Sequence, residues 1–123
     1  YAPHKVKFAV SGCPRNCAEA GIKDVGIIGV DSGWEMVVGG NGGIKTEVAH
    51  FLVKLKTAEE VMEYTGAFMQ LYRKEGWYLE RTVHYGHRIR RYGITCRSKT
   101  SGLRCTNRHH HGFFLSRQRY RLF

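Results

Sequence analysis

The chain has 123 residues and a mass of 14.1 kDa, which is enough for one domain, and 42% of its residues are hydrophobic. This composition, with 15 glycines, is typical of a globular protein and excludes collagen-like and disordered classes. No apolar run approaches the roughly 20 residues of a membrane span, and the N-terminus shows no secretory signal pattern.

The net charge of +10 is concentrated at one end of the chain. Residues 1–85 carry ten basic and ten acidic side chains, so this segment is neutral. Residues 86–123 carry ten basic side chains and no acidic one. The chain therefore combines two compositions, and an average isoelectric point describes neither of them.

The first quarter of the chain predicts a strand followed by a short helix. Residues 5–10 alternate polar and apolar side chains, which is the period of a half-buried strand. Residues 11–21 predict a helix, because Pro14 suits a first helical position and Gly21 suits the residue after the last turn. An apolar hairpin should follow, with strands at 25–30 and 34–38.

A glycine-rich loop and a helix dominate the middle of the chain. The loop spans residues 39–43, where missing side chains allow close backbone approach. Thr57 and Glu60 form a capping box, and apolar residues then recur at helical spacing up to Gly76. A shorter helix is expected over 77–84, and Trp34, Trp77 and Tyr78 are expected in the core.

These elements predict an α+β fold, a small, mainly antiparallel sheet with helices packed on one side. We expect this domain to occupy residues 1–85. From Gly86 onward the apolar periodicity stops, so residues 86–123 are predicted to be a basic tail, aberrant or disordered. A tail without acids is typical of out-of-frame translation, and its alternative is an arm that binds nucleic acid.

Chemistry is suggested by Cys13 and Cys17, spaced C-x3-C. A zinc site requires a second pair at suitable spacing, and Cys96 and Cys105 are a poor match. A disulfide between Cys13 and Cys17 is awkward within one helical turn. Two readings remain: a pair of packed thiols, or two thiolate ligands of an iron–sulfur cluster, whose charge a helix N-terminus would stabilise.

The sequence Ser-Gly-Cys-Pro-Arg-Asn-Cys at residues 11–17 resembles the motif that carries the second cysteine pair of the sirohaem and [4Fe–4S] nitrite and sulfite reductases. The order of strand, cysteine pair, apolar hairpin, glycine-rich loop and helices resembles that family over about residues 2–85. The sequences of residues 18–24 and 41–45 most resemble, within this family, those of the bacterial assimilatory NAD(P)H nitrite reductases. The fold expected from the resemblance is that of the family's 4Fe-4S domain.

The resemblance implies specific cofactor contacts. Cys13 and Cys17 match the third and fourth cluster ligands, and the sulfur of Cys17 would also bridge to the sirohaem iron. Asn16, Asn41 and Gly42 would lie against the cofactors. The implied reaction is the reduction of nitrite to ammonium with electrons from NAD(P)H, through FAD in the parent enzyme.

The resemblance also implies what this chain lacks. In the family the first cysteine pair lies upstream, so two of four cluster ligands and the flavin and nucleotide sites would belong to other parts of a longer subunit. This chain alone is therefore expected to be inactive. Expected partners are nitrite, the rest of the subunit and a possible small subunit, in the cytoplasm and away from membranes. The alternatives are a sulfite reductase, a nucleic-acid-binding protein or an inactive gene remnant.

Overall fold

A computed structural model describes the backbone of residues 1–92, 94–99 and 102–107, and the side chains of residues 1–88. Its main sheet has four strands in the order β1-β2-β3-β6. These strands are β1 (Phe8–Ser11), β2 (Val25–Val30), β3 (Gly33–Val38) and β6 (His50–Leu55). β1 runs parallel to β2, and the two other pairings are antiparallel. The predicted α+β class is confirmed, and the sheet is mixed.

The predicted hairpin is confirmed by β2 and β3. Val25 lies opposite Val38 and Ile27 lies opposite Met36, so these four side chains share one face. The turn needs Gly33, because its φ is 132° and a Cβ there would lie 2.3 Å from the carbonyl oxygen of Leu55. A short apolar run, a compact turn and a second strand-like segment were sufficient to locate this element.

The glycine-rich segment forms a small hairpin of its own. Strands β4 (Asn41–Gly42) and β5 (Thr46–Glu47) pair antiparallel, with Asn41 opposite Glu47. The Asn41 side chain donates to the carbonyl of Lys45 at 2.9 Å and accepts from the amide of Gly43 at 3.3 Å. These bonds close the turn, so part of the loop predicted over residues 39–43 belongs to a β-hairpin.

Helix α1 (Ala58–Glu75) begins at the predicted capping box. The Thr57 hydroxyl accepts from the amide of Glu60 at 3.2 Å, and the Glu60 carboxylate accepts from the amide of Lys56 at 2.9 Å. The helix ends at Gly76, where a Cβ would lie 2.5 Å from the carbonyl oxygen of Tyr72. No helix in the described residues is long and apolar enough to cross a membrane.

Helix α2 (Thr82–Tyr92) crosses the predicted domain boundary at residue 85. The expected loss of regular structure from Gly86 is therefore wrong for residues 86–92. Beyond them, β7 (Ile94–Lys99) and β8 (Gly102–Asn107) pair antiparallel, with Cys96 opposite Cys105 in the backbone register. The aberrant origin proposed for residues 86–123 stays a prediction.

The core lies between one face of the sheet and the two helices. The sheet contributes the side chains of Val25, Ile27, Met36, Val38 and Leu55, and the helices contribute the larger side chains of Tyr64, Phe68, Leu71, Tyr72 and Tyr85. Both helices thus pack on one side of the sheet, as predicted. Trp34 packs against this core, whereas the core positions predicted for Trp77 and Tyr78 are wrong, because these side chains are 67% and 76% exposed. They occupy the connection between α1 and α2.

Tyr85 makes the stability of this core sensitive to alkaline pH. The side chain is fully buried, and burial, with the nearby Glu75 carboxylate second, raises the pKa of its hydroxyl above the ordinary value of 10.0. A raised pKa means that the stabilisation is complete below pH 10 and is lost as the pH rises further. We expect a loss of about 1.4 kcal/mol per pH unit above 10 from this group.

Tyr85→Phe should therefore flatten the pH dependence of the unfolding free energy between pH 9 and 11, measured by urea titration. Some slope should remain, because burial also raises the pKa of Tyr64 and Tyr72. The control is Tyr78→Phe at the exposed connection. An identical slope for Tyr85→Phe and the unmodified chain would contradict the prediction.

Candidate functional site

Cys13 and Cys17 lie in the crossover that connects the parallel strands β1 and β2. Both thiols are free and exposed. The alternative of two packed thiols is therefore wrong. The carboxyl end of β1 leads directly into this segment, which is where parallel strands commonly present ligand-binding residues.

The helix predicted over residues 11–21 is wrong. The crossover consists of turns followed by a single 3₁₀ turn at Ala20–Ile22. Asn16 and Glu19 have φ values of 59° and 56°, in the left-handed region that an α-helix cannot contain. The argument that a helix N-terminus stabilises the thiolates therefore does not apply here.

Asn16 holds the crossover in shape. Its Oδ1 accepts a hydrogen bond from the Gly21 amide at 3.0 Å and lies 3.5 Å from the Ser11 hydroxyl. Its backbone amide donates to the Cys13 carbonyl at 3.3 Å, and its carbonyl accepts from the Glu19 amide at 2.8 Å. The cysteines are thus presented on a loop whose ends are tied to each other.

Two glycines of β2 let the crossover lie close against the sheet. A Cβ at Gly26 would lie 2.0 Å from the carbonyl oxygen of Ala20. A Cβ at Gly29 would lie 2.4 Å from the carbonyl oxygen of Gly12. Contacts below 3 Å cannot be accommodated without backbone movement, so these two positions place both ends of the cysteine loop.

The far end of the crossover is fastened by the buried Asp24. Its carboxylate accepts from the amide of Lys7 at 2.8 Å, forms an ion pair with Arg81 at 3.3 Å and accepts from the hydroxyl of Thr82. Asp24 and Thr82 are 1% and 0% exposed. The carboxylate therefore joins the crossover to the first turn of α2, where it also suits the helix dipole.

The predicted cofactor residues do not all lie together. Asn16 lies between the cysteines, whereas Asn41 and Gly42 lie near the opposite end of the crossover. There, a Cβ at Gly42 would lie 3.2 Å from Cδ1 of Ile22, and the amide of Gly40 donates to the carbonyl of Lys23 at 3.0 Å. The described contacts link this hairpin to the 3₁₀ turn and not to either cysteine.

Sequence reasoning missed a second polar cluster, centred on Arg88. Its guanidinium binds the Glu80 carboxylate at 2.8 Å and the Glu75 carbonyl at 2.7 Å, and it lies 4.7 Å from the centre of the Trp77 ring. The hydrogen bond to Glu80 raises the pKa of Arg88 above its ordinary value. Arg88 thus locks α2 to the end of α1, although it falls in the segment predicted to be a tail.

The side chains present fit part of an iron–sulfur site. Two exposed cysteines on one short, braced loop supply half of the four thiolates that such a cluster requires. Within the part of the chain that the structure describes, no group of three or more His, Cys, Asp or Glu side chains is arranged to hold a metal ion. The described residues therefore offer a pair of ligands and not a complete set.

Comparison with known proteins defines the class. The family described as the nitrite and sulphite reductase 4Fe-4S domain matches residues 1–95, and the chain belongs to this family. This confirms the resemblance carried by the cysteine motif. A second match, to a family of unknown function, covers residues 80–123.

Individual relatives are long reductases. The chain is 59% identical over 87 residues to the NAD(P)H nitrite reductase of Bacillus subtilis (strain 168), which covers 71% of this chain and 11% of that protein. It is 46% identical over 81 residues to the NADH nitrite reductase large subunit of Escherichia coli (strain K12), covering 66% of this chain and 10% of that protein.

A sulfite reductase is also among the relatives. The assimilatory-type enzyme of Nitratidesulfovibrio vulgaris is 39% identical over 71 residues, covering 58% of this chain and 33% of that protein. The chain therefore spans about a tenth of the length of these two nitrite reductases and a third of the length of this sulfite reductase.

Proposed function

We propose that this chain is part of a sirohaem and [4Fe–4S] nitrite reductase that forms ammonium with electrons from NAD(P)H. Within that enzyme, Cys13 and Cys17 would supply two of the cluster's four thiolate ligands. The observation that carries the proposal is the exposure of both free thiols on the braced crossover of a nitrite and sulphite reductase 4Fe-4S domain.

The two remaining ligands would come from other parts of a longer subunit. The described residues contain no larger metal-binding group. Cys96 and Cys105, which lie opposite each other in the backbone register, follow Cys13 and Cys17 in the chain, whereas the family's other pair lies upstream. FAD and NAD(P)H would bind elsewhere in the same subunit, and a small subunit is a possible partner. We place the enzyme in the cytoplasm, where thiols stay reduced.

This chain's own contribution would be ligation and support. Cys13 and Cys17 would hold the cluster as thiolates, and Cys17 would also help to hold the sirohaem. When bound, the cluster and sirohaem would supply the electron storage and the redox metal for the reduction of nitrite. Gly26 and Gly29 would keep the loop against the sheet, and Asp24 would hold its far end to α2.

Asn41 and Gly42 would take part through their backbone only. The side-chain amide of Asn41 already bonds to Lys45 and Gly43 within its own hairpin, and Gly42 is exposed. Near this hairpin, a hydrogen bond from Lys45, with His87 contributing less, holds the pKa of Glu47 below its ordinary value. The carboxylate thus stays ionised beside the loop at neutral pH.

Sulfite reduction is the second candidate, supported by the relative from Nitratidesulfovibrio vulgaris. Nitrite is preferred because two nitrite reductases share 59% and 46% identity with the chain, against 39% for the sulfite reductase. No described contact favours nucleic-acid binding.

A segment exchange tests the proposed activity. The matched 87-residue segment of the Bacillus subtilis enzyme is replaced by that of this chain, and NAD(P)H-dependent nitrite reduction is assayed in the purified hybrid. We expect activity within about tenfold of the parent enzyme and loss of activity after Cys17→Ser, because the substitution removes a cluster ligand.

The control hybrid carries Ser32→Ala in the exposed turn of the β2–β3 hairpin, which should leave the activity unchanged. An active Cys17→Ser hybrid, or a folded but inactive hybrid that still contains its cofactors, would contradict the proposal.

A further inference from the structure

Asn16 differs from its neighbours in the cysteine loop by facing inward. Asn16 is half-buried, whereas all the remaining residues from 12 to 19 are exposed. Its side chain is therefore the inward contact of the segment that carries both thiols. A residue in such a position controls the loop more than it contacts anything bound outside.

The hydrogen bonds of Asn16 span the whole loop. Oδ1 accepts from the Gly21 amide at 3.0 Å, five residues ahead, and lies 3.5 Å from the Ser11 hydroxyl, five residues behind. A carbonyl oxygen has two lone pairs, so these partners occupy its acceptor capacity. The amide Nδ2 packs against Gly21, where a Cβ would approach it to 3.0 Å.

The backbone of Asn16 adds a second constraint. Its φ of 59° is reached readily by Gly and tolerated by Asn and Asp, but strained for other side chains. Its backbone amide donates to the carbonyl of Cys13, and its carbonyl accepts from the amide of Glu19, so Asn16 takes part in both of these turns. Cys17 follows directly along the chain and takes its direction from this backbone.

We propose that Asn16 is a positioning residue, which sets the orientation of Cys13 and Cys17 by closing the loop between Ser11 and Gly21, and that it is not itself a cofactor ligand. The inference rests on the proposed function, in which the two thiolates bind one cluster. In this role the hydrogen bonds of Asn16 order the loop in advance, so that cluster binding does not have to supply the free energy of ordering it.

The test uses the full 123-residue chain with Cys96→Ser and Cys105→Ser as background, so that Cys13 and Cys17 are the remaining thiols. Asn16→Gly keeps the left-handed backbone and removes the side-chain bonds. Asn16→Asp keeps both the backbone preference and an acceptor oxygen. Glu19→Gly is the matched control, since Glu19 also has a positive φ but lies exposed.

The first measurement is ¹⁵N relaxation of the metal-free proteins. We expect the order parameter of the Cys17 amide to fall from about 0.85 to below about 0.6 in Asn16→Gly, and to stay near the background value in Asn16→Asp and Glu19→Gly. The Phe68 amide in α1 reports global folding in every sample. An unchanged Cys17 order parameter in folded Asn16→Gly would overturn the inference.

The second measurement is anaerobic reconstitution of the same variants with iron, sulfide and excess glutathione, which provides the missing thiolates. We expect Asn16→Gly to lower the cluster occupancy at least about fivefold and to shift the electron paramagnetic resonance spectrum recorded after one-electron reduction with dithionite, with both restored in Asn16→Asp. Equal occupancy and spectra in Asn16→Gly and the background would also overturn the inference.

The two measurements can contradict the proposed function and the role of Asn16 independently of each other. If the background protein binds no cluster, cluster binding by this chain is contradicted, while the relaxation data still decide whether Asn16 orders the cysteine loop. If the cluster forms but the loop order is independent of Asn16, the proposed function stands and the positioning role falls.

Discussion

Gly26→Ala is expected to destabilise the domain by about 3 kcal/mol or more. The added Cβ would lie 2.0 Å from the carbonyl oxygen and 2.7 Å from the carbonyl carbon of Ala20. Since Ala20 is fully buried and the obstacle is backbone, no side-chain rotation can relieve the clash. The crossover must therefore move away from β2, and the loop with Cys13 and Cys17 must move with it.

Urea titration followed by circular dichroism measures this effect. The matched control is Gly66→Ala within α1, where nothing lies within 4 Å of the added Cβ. That substitution should stabilise the protein by about 0.5–1 kcal/mol, because alanine has the higher helix propensity. Equal midpoints for Gly26→Ala and the unmodified chain would contradict the placement of the crossover against the sheet.

Asp24→Ala is expected to lower the free energy of unfolding by about 3–5 kcal/mol, because it removes one partner of a buried ion pair and leaves the charge of the other partner uncompensated. The Asp24 carboxylate is 1% exposed, and its loss removes the partner of Arg81 and the acceptors for Lys7 and Thr82. Arg81 has already one buried nitrogen, Nε, without a hydrogen-bond partner. The attachment of α2 to the crossover should therefore loosen first.

Hydrogen exchange separates this local effect from global unfolding. Amides of the first turns of α2 should lose protection in Asp24→Ala, while amides in the middle of α1 should change only with the global stability. Asp31→Ala, at the exposed turn between β2 and β3, is the control and should change stability by less than about 0.5 kcal/mol. Intact protection at the Tyr85 amide, which donates to the carbonyl of Arg81 at 3.0 Å, would contradict the role of Asp24.

Local patterns in the sequence were sufficient for elements that short-range interactions determine. The β2–β3 hairpin follows from a short apolar run, a compact turn and a second strand-like segment, and α1 follows from the capping box at Thr57 and Glu60. The predicted strand over 5–10 is displaced and lies at Phe8–Ser11. Strand boundaries depend on pairing with β2, which the sequence of β1 does not contain.

The cysteine loop shows why a helix signal can fail. Pro14 and Gly21 are typical of helix ends, but the Asn16 side chain competes for the amide of Gly21 and stabilises turns in its place. The cysteine motif still identified the family, because it depends on residue types and spacing. The local backbone depends on hydrogen bonds that the motif does not reveal.

Ion pairs account for the continuation of α2 into a segment that was predicted to lack regular structure. Arg81 and Asp24 are 57 residues apart in sequence, and Arg88 lies in a segment whose composition suggested a tail. The composition shows that acidic residues are absent after residue 85. It does not show that Arg88 pairs with Glu80, a contact that holds the continuing helix α2 in place. The family match covers residues 1–95 and so extends further than the resemblance noted over residues 2–85.

Ligation of a cluster by Cys13 and Cys17 is the central claim, and quantitative reconstitution tests it most directly. The full chain is incubated anaerobically with iron, sulfide and excess glutathione, and bound iron and sulfide are measured together with the visible absorption. We predict a brown protein with iron and sulfide in equal amounts, which Cys96→Ser/Cys105→Ser retains and Cys13→Ser/Cys17→Ser loses. A chain that binds no cluster, or one whose cluster survives Cys13→Ser/Cys17→Ser, would contradict the claim.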